Sequence, residues 1–368
     1  MSNRKLAILG IVAAGMIAWA AVQSGISKRS AGGSVAGTYL VQGLDPSAIG
    51  IIAVQADGNT VTLARQDKNF VVIEKNNYPA QTSTINNLIT SCLDIQTADI
   101  ITSEKANFTE LGVSDDKPEK AVKFLKPDKS VIAGILIGKN AKDTPGTYVR
   151  LLGGDKVYLS TNVPWVQTTA MDYIDRNLTD VKREDIAELS VTSPDGSFTI
   201  TNEPNRGVRL ENVPAGKKEK RSDTDQVFIS LTNCPFDDVI KDASGLNFDR
   251  TYVWHLKDST VYTFNVAPKG DKTFVKCTAD FGDKSEVLKK NTVESEEALK
   301  AKEAKLLARD KAEAFAKKTQ GWIYEIPEWK AKNLKINFAD LIENEPNKPA
   351  DANNTKPKPA NTDSTEQQ

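Results

Sequence analysis

The chain repeats itself, and this limits its fold more than any other feature. Ile49, Ile52, Val54, Val61, Leu63, Val71, Ile73 and Glu74 each have a counterpart 137 positions later. These are Ile186, Leu189, Val191, Phe198, Ile200, Val208, Leu210 and Glu211. Both copies set an Asp-Gly pair between the first two apolar segments, at Asp57-Gly58 and Asp195-Gly196. Alternating apolar residues interrupted by Asp-Gly predict a hairpin, because that turn needs positive φ. The stretches FVVIE and GVRLE then predict a third strand of a meander.

A helix follows in each copy. In the first, Ser83 or Thr84 can cap, and Ile85, Leu88, Ile89 and Cys92 fall on one helical face. In the second, Asp223 or Thr224 can cap, with Val227, Phe228, Leu231 and Cys234 on the buried side. Cys92 and Cys234 lie 142 apart, and the extra residues fit a loop at Lys217–Arg221, so the two cysteines are expected at matching helix ends. Downstream, AVKFLKPDKSVIAGILIG resembles YVWHLKDSTVYTFNVAP, which pairs Phe124 with His255. Thr147–Arg150 matches Thr273–Lys276, and VYLSTNVPW resembles IYEIPEW. The second copy carries an insertion at about 283–320, in which Ala301, Ala304, Ala308, Ala312 and Phe315 make a narrow stripe. That predicts a long charged helix standing partly away from the sheet.

The expected architecture is therefore α+β, with two tandem β-rich repeats at 44–180 and 181–342. Each is an antiparallel sheet with a packed helix, and the inserted helix belongs to the second. Residues 343–368 contain several prolines and almost no apolar side chains. Such a tail buries too little surface to offset its ordering entropy and is expected to be disordered. At the other end, Arg4 and Lys5 precede an uncharged run, Leu6–Ile26. As a helix that run would span roughly 30 Å, so 1–26 is expected to be a transmembrane anchor or, alternatively, a cleaved signal segment. No cysteine lies near position 20, which excludes lipoprotein processing. Residues 27–43 read as a linker. The body after it is expected to be exported.

Composition narrows the chemistry. Forty-eight Lys and Arg against 49 Asp and Glu leave a net charge of −1, so no whole-chain field draws the protein to nucleic acid. A single histidine and three cysteines without paired spacing offer no zinc site, and neither a metal nor a cofactor is expected. Gly134-Ile-Leu-Ile-Gly138-Lys139-Asn140 is one residue too short between its glycines for a phosphate loop, and Asn140 lacks the magnesium-ligating hydroxyl. Cys92, Cys234 and Cys277 read as buried thiols. His255 alternates with Trp254 on a strand and reads as structural. Asp223 and Asp225 precede a helix, where carboxylates meet free amides, while Asp115/Asp116 and Asp237/Asp238 read as loop and helix-end charges. No catalytic, cofactor-binding or metal-binding residue is assigned. Trp165, Trp322, Trp329, Tyr148, Tyr158 and Tyr324 cluster near the closing strands, as a core, an edge shield or a recognition surface.

One likeness rests on named residues. Phe108, Leu111-Gly112-Val113, Pro118, Ile137-Gly138-Lys139, Tyr148-Val149-Arg150 and Val157-Tyr158 together resemble the bacterial domain-of-unknown-function family 4340. Coverage is best over about 45–180, and the Leu-Gly and Ile-Gly-Lys elements are worn away in the second copy. The resemblance implies a single-pass protein of the bacterial inner membrane, with its body in the periplasm or outside the cell. It also implies an accessory role beside ABC transporter subunits, and it carries over no catalytic residues. The expected function is a non-enzymatic binding or accessory component of an ABC-type transport system, held to the membrane by one N-terminal helix. The alternatives are an envelope hydrolase acting on a polysaccharide or peptide, and a structural spacer.

Overall fold

The computed structural model describes residues 38–285 and 295–345. Contacts divide the chain into two compact units between Arg176 and Asn177.

In the first unit, nine strands form one antiparallel sheet. Its order is Tyr78–Pro79, Asn69–Val72, Asn59–Gln66, Ile51–Ala56, Lys120–Leu125, Val131–Asn140, Thr147–Leu151, Val157–Ser160 and Ile100–Thr102. The second unit has an eight-stranded sheet in the same sense: Gly207–Leu210, Gly196–Glu203, Ile186–Ser193, Arg250–Leu256, Thr260–Lys269, Lys272–Phe281, Ile323–Ile326 and Asp238–Ile240. Asp57 and Gly58 both take positive φ, as the Asp-Gly hairpin requires. Even the small ribbons repeat, since Thr38–Tyr39 pairs Gln96–Thr97 and Asn177–Thr179 pairs Cys234–Pro235.

Alternation decides the faces. Ile52 pairs Leu63 on one side and Phe124 on the other, and all three are fully buried. Helix α1 (Thr82–Leu93) turns Ile85, Leu88, Ile89 and Cys92 inward, as its spacing predicts. In the second unit Leu189 pairs Ile200 and Trp254, and helix α2 (Arg221–Phe228) buries Thr224, Val227 and Phe228. Helix α3 (Glu296–Thr319) is the insertion. It buries Ala308 and Ala312 and sets Phe315 edge-on to Tyr262, with centroids 4.8 Å apart. Ala301 and Ala304 are exposed, so only the C-terminal half of the expected stripe packs.

Several expectations are corrected. The membrane-spanning helix is not part of the described architecture, because no helix among the described residues is long and apolar enough to cross a membrane. Helix α3 has the length, 24 residues, but its charged side chains forbid an apolar span. The expected anchor at 6–26 lies outside the described residues. The expected membrane partner and single-pass inner-membrane location are carried by no helix of the described residues, and nothing in those residues bears on the expected partnership with ABC transporter subunits. The architecture is two antiparallel sheets flanked by helices.

Caps and register also differ. Helix α1 starts two residues before the earlier expected cap allows, after Gln81, whose Oε1 accepts from Thr84 Oγ1 at 2.7 Å. Helix α2 follows Lys220, without a side-chain cap. The two cysteines are not equivalent. Cys92 is inside α1, whereas α2 ends at Phe228 and Cys234 opens a strand. Carrying the buried positions of α1 forward puts Leu231 where Cys92 stands and Cys234 where buried Ile95 stands. Trp254, not His255, matches Phe124, since each pairs the equivalent first-strand residue, Leu189 and Ile52. Leu40 and Val41, expected in the linker, are buried. Ile342–Asn344 pairs with Lys217–Glu219, so ordered chain runs past 342.

Candidate functional site

The residues of the sequence likeness gather in the first unit, where they build structure. Arg150 is 1 % exposed. Its Nε donates to the Val113 carbonyl at 2.8 Å, and Nη1 donates to Gly154 O at 2.6 Å. Its Nη2 meets Asp115 Oδ1 at 2.6 Å, and the guanidinium lies 4.3 Å from the Phe108 ring centre. A buried guanidinium needs such partners on every side. Gly112 takes φ +76° and turns the chain beneath this arginine. Gly138 lets that turn lie against its strand, because a Cβ there would come within 2.8 Å of Val113 Cγ1. The Gly134–Asn140 stretch is thus continuous strand, with glycines for close approach and no phosphate cradle.

The second unit lacks this lock. Gly138 is matched by Ala267 and Arg150 by Lys276, which stands 4.4 Å over Phe248 as Arg150 stands over Phe108. The strand also grows. Lys272–Phe281 has ten residues where Thr147–Leu151 has five. Its neighbour Ile323–Ile326 pairs only with Thr273–Val275. From Lys276 to Phe281 the strand bonds to Thr260–Asn265 on one side and, among the described residues, to no strand on the other. Helix α3 runs beside this open length and leaves a groove.

The groove has two contiguous parts that share Ala316. One, of about 610 Å³, is lined by Lys241, Lys276, Cys277, Thr278, Lys317 and Trp322, among others. Lys241 Nζ sits 4.3 Å above the Trp322 ring. No ion pair among the described residues engages Lys241, Lys276 or Lys317, so this end is basic. The other part, of about 750 Å³, lies between Ala279–Phe281 and the helix face of Leu306, Arg309 and Glu313. Its charges are matched in pairs: Lys284 with Asp280 at 2.9 Å, Lys305 with Asp283 at 2.8 Å and Arg309 with Glu313 at 3.8 Å. Lys284 holds the Asp280 carboxyl below its ordinary range, and Lys305 does the same more strongly for Asp283.

The remaining sequence candidates scatter. Burial pushes the Cys92, Cys234 and Cys277 thiols up to about 12, and all three are free. His255 is exposed. Asp225 pairs with Arg183 at 2.7 Å. Tyr324 is fully buried against Phe236, whereas Trp165 is 80 % exposed with Lys120 at 5.3 Å from its ring, and Trp329 is 59 % exposed. The aromatics therefore form no single surface. Of them, Trp322 alone belongs to the groove. Among the described residues no three His, Cys, Asp or Glu side chains gather as metal ligands. The groove lysines were missed from sequence. The signal for them was the length of the second copy's strand beyond TFVK, which alternates on through Cys277, Ala279 and Phe281.

Residues 71–252 match the family model described as Domain of unknown function (DUF4340), and the chain contains a DUF4340 domain over that span. The match starts in the first unit's Asn69–Val72 strand and ends within Arg250–Leu256 of the second, before the groove strand and helix α3. No curated protein and no solved structure matches the chain.

Proposed function

We propose that this DUF4340-containing chain works by binding, without chemistry of its own, and that the groove beside α3 is where it binds. The observation that carries this reading is the unequal growth of two like sheets. The second unit's strand runs six residues, 276–281, past its paired neighbour, against two, Arg150 and Leu151, in the first, and among the described residues only the second unit adds a helix that walls the extension. A groove built this way, with unpaired lysines at one end, is an interaction feature grafted onto a repeated frame.

The side chains support binding over hydrolysis. The Cys277 thiol at the groove floor is held protonated by burial. Every carboxylate in the described residues whose pKa moves clearly, including Asp280 and Asp283 at the groove, moves down. A general acid needs the opposite shift.

The test places a photo-crosslinking residue at Ala316 in the full chain, in its native host, with Lys156 of the first unit as the control position. The expected result is a discrete adduct at 316 that disappears when Lys241, Lys276 and Lys317 are all changed to Glu. Adducts no stronger than at 156, or adducts indifferent to the charge reversal, would overturn the reading.

A further inference from the structure

The geometry points to the occupant of this groove: an extended peptide segment that adds as a strand to the open edge Lys276–Phe281, with an acidic residue at the Lys241 end. The inference rests on the binding reading above and names its ligand.

Lys269 pairs with Lys272 across the two-residue turn Gly270-Asp271. In such a hairpin the pair flanking the turn exchanges hydrogen bonds, and bonding then alternates along the strand. Residues 272, 274, 276, 278 and 280 therefore bond inward to Thr260–Lys269, and Gly282 N continues the series by donating to Ser259 O at 2.8 Å. The odd residues face the other way. Thr273 and Val275 meet Ile326 and Tyr324 there. Cys277 and Ala279 face the groove, and among the described residues no hydrogen bond from outside the ladder reaches their backbone groups. Phe281 N turns instead to Asp280 Oδ1 at 2.8 Å. Both Cys277 and Ala279 are under a tenth exposed. Sheltered N–H and C=O groups in a row take main-chain partners, and an added strand supplies them in register.

Six residues of edge, 276–281, span about 20 Å, room for a peptide of about six residues. On the helix side the groove meets Ala312 and Ala316, so alternate side chains of the peptide find room there. At the Phe281 end the charges are already paired, and at the other end Lys241, Lys276 and Lys317 are not. A carboxylate on the incoming segment complements that end. A nucleic acid strand fits less well, because Lys241 already covers the Trp322 ring that would stack a base.

The probe is a synthetic library of seven-residue peptides, Asp at both ends, with the inner positions varied over Val, Thr, Ile, Ser and Ala. Binding of the full chain is read by fluorescence anisotropy, and hydrogen exchange is followed with the tightest member. The expected result is binding, with slowed exchange at Cys277 and Ala279. Of two versions N-methylated on alternate residues, the one that blocks the facing edge should bind at least tenfold more weakly. Lys241→Glu with Lys276→Glu should weaken the parent peptide at least tenfold, and Ala316→Trp should block it while the thermal midpoint stays within a few degrees. If both methylated versions bind like the parent, strand addition is wrong. If no peptide binds while the Ala316 crosslinks persist, strand addition again fails and the binding reading stands. If peptides and crosslinks are both absent, the two fail together.

Discussion

Arg150 and Asp115 meet at 2.6 Å across 35 residues of sequence, with the arginine side chain 2 % exposed and the aspartate 52 %. The asymmetry sets what each contributes. Asp115 keeps water on one side, so its pairing is a partly screened contact. Arg150 also satisfies the Val113 and Gly154 carbonyls and covers Phe108. Arg150→Ala is expected to destabilise the first unit by about 3 kcal/mol, against about 1 kcal/mol for Asp115→Asn. Urea unfolding followed by hydrogen exchange of first-unit amides reads this without assuming that both units melt together.

Gly138→Ala should cost about 2 kcal/mol in the same unit, because the added methyl drives the Leu111–Val113 turn off its strand. The matching residue of the second unit is already alanine, and Ala267 is fully buried beside Phe274 and Ile323. Ala267→Gly is therefore expected to weaken, not relieve, its unit. The two opposite substitutions, melted side by side, test whether one frame has been packed in two ways.

The repeat was legible because turn chemistry and strand alternation are local. Asp57-Gly58 with Val54 and Val61 around it has one good solution, and the pairing Val54–Val61 follows. Helix α1 was legible for the same reason. Its partner is shorter than its spacing predicts: Val227, Phe228, Leu231 and Cys234 keep a helical spacing, yet the chain leaves the helix after Phe228 so that Cys234 can pair with Thr179. That pairing joins residues 55 apart and has no local signature. The one-residue error at His255 has the same origin, since LKPDK and LKDST align by letters while cross-strand partners fix Trp254. The apolar run at 6–26 suggested a role that the described residues do not carry. The groove escaped notice because an open edge is a property of two strand lengths, Lys272–Phe281 and Ile323–Ile326, and not of either segment alone.

The thiols give a sharp chemical check. With pKa values near 12, Cys92, Cys234 and Cys277 hold on the order of a thousandfold less thiolate at pH 8 than an ordinary cysteine. The native chain should resist iodoacetamide at that pH, and all three should alkylate together in denaturant. Early labelling of Cys277 alone, read by mass spectrometry, would show that the groove floor opens more widely than the packing of α3 allows.

Asp283 ties α3 to the sheet through Lys305, which donates to its carboxylate at 2.8 Å and to Ser285 O at 2.6 Å. The Lys305 hydrogen bond, with help from Ser285, holds the Asp283 pKa well below its ordinary value. A lowered carboxylate pKa means the stabilisation is fully present above the ordinary value of 3.8 and drains away as pH falls below it. Exchange protection of the α3 amides should therefore be flat from about pH 7 to about pH 5, and then fall toward about pH 2. Asp283→Asn should lower the plateau and remove most of the slope. If the helix loosens instead between about pH 7 and about pH 5, a group other than this carboxylate holds it, and the wall of the groove is set by different chemistry.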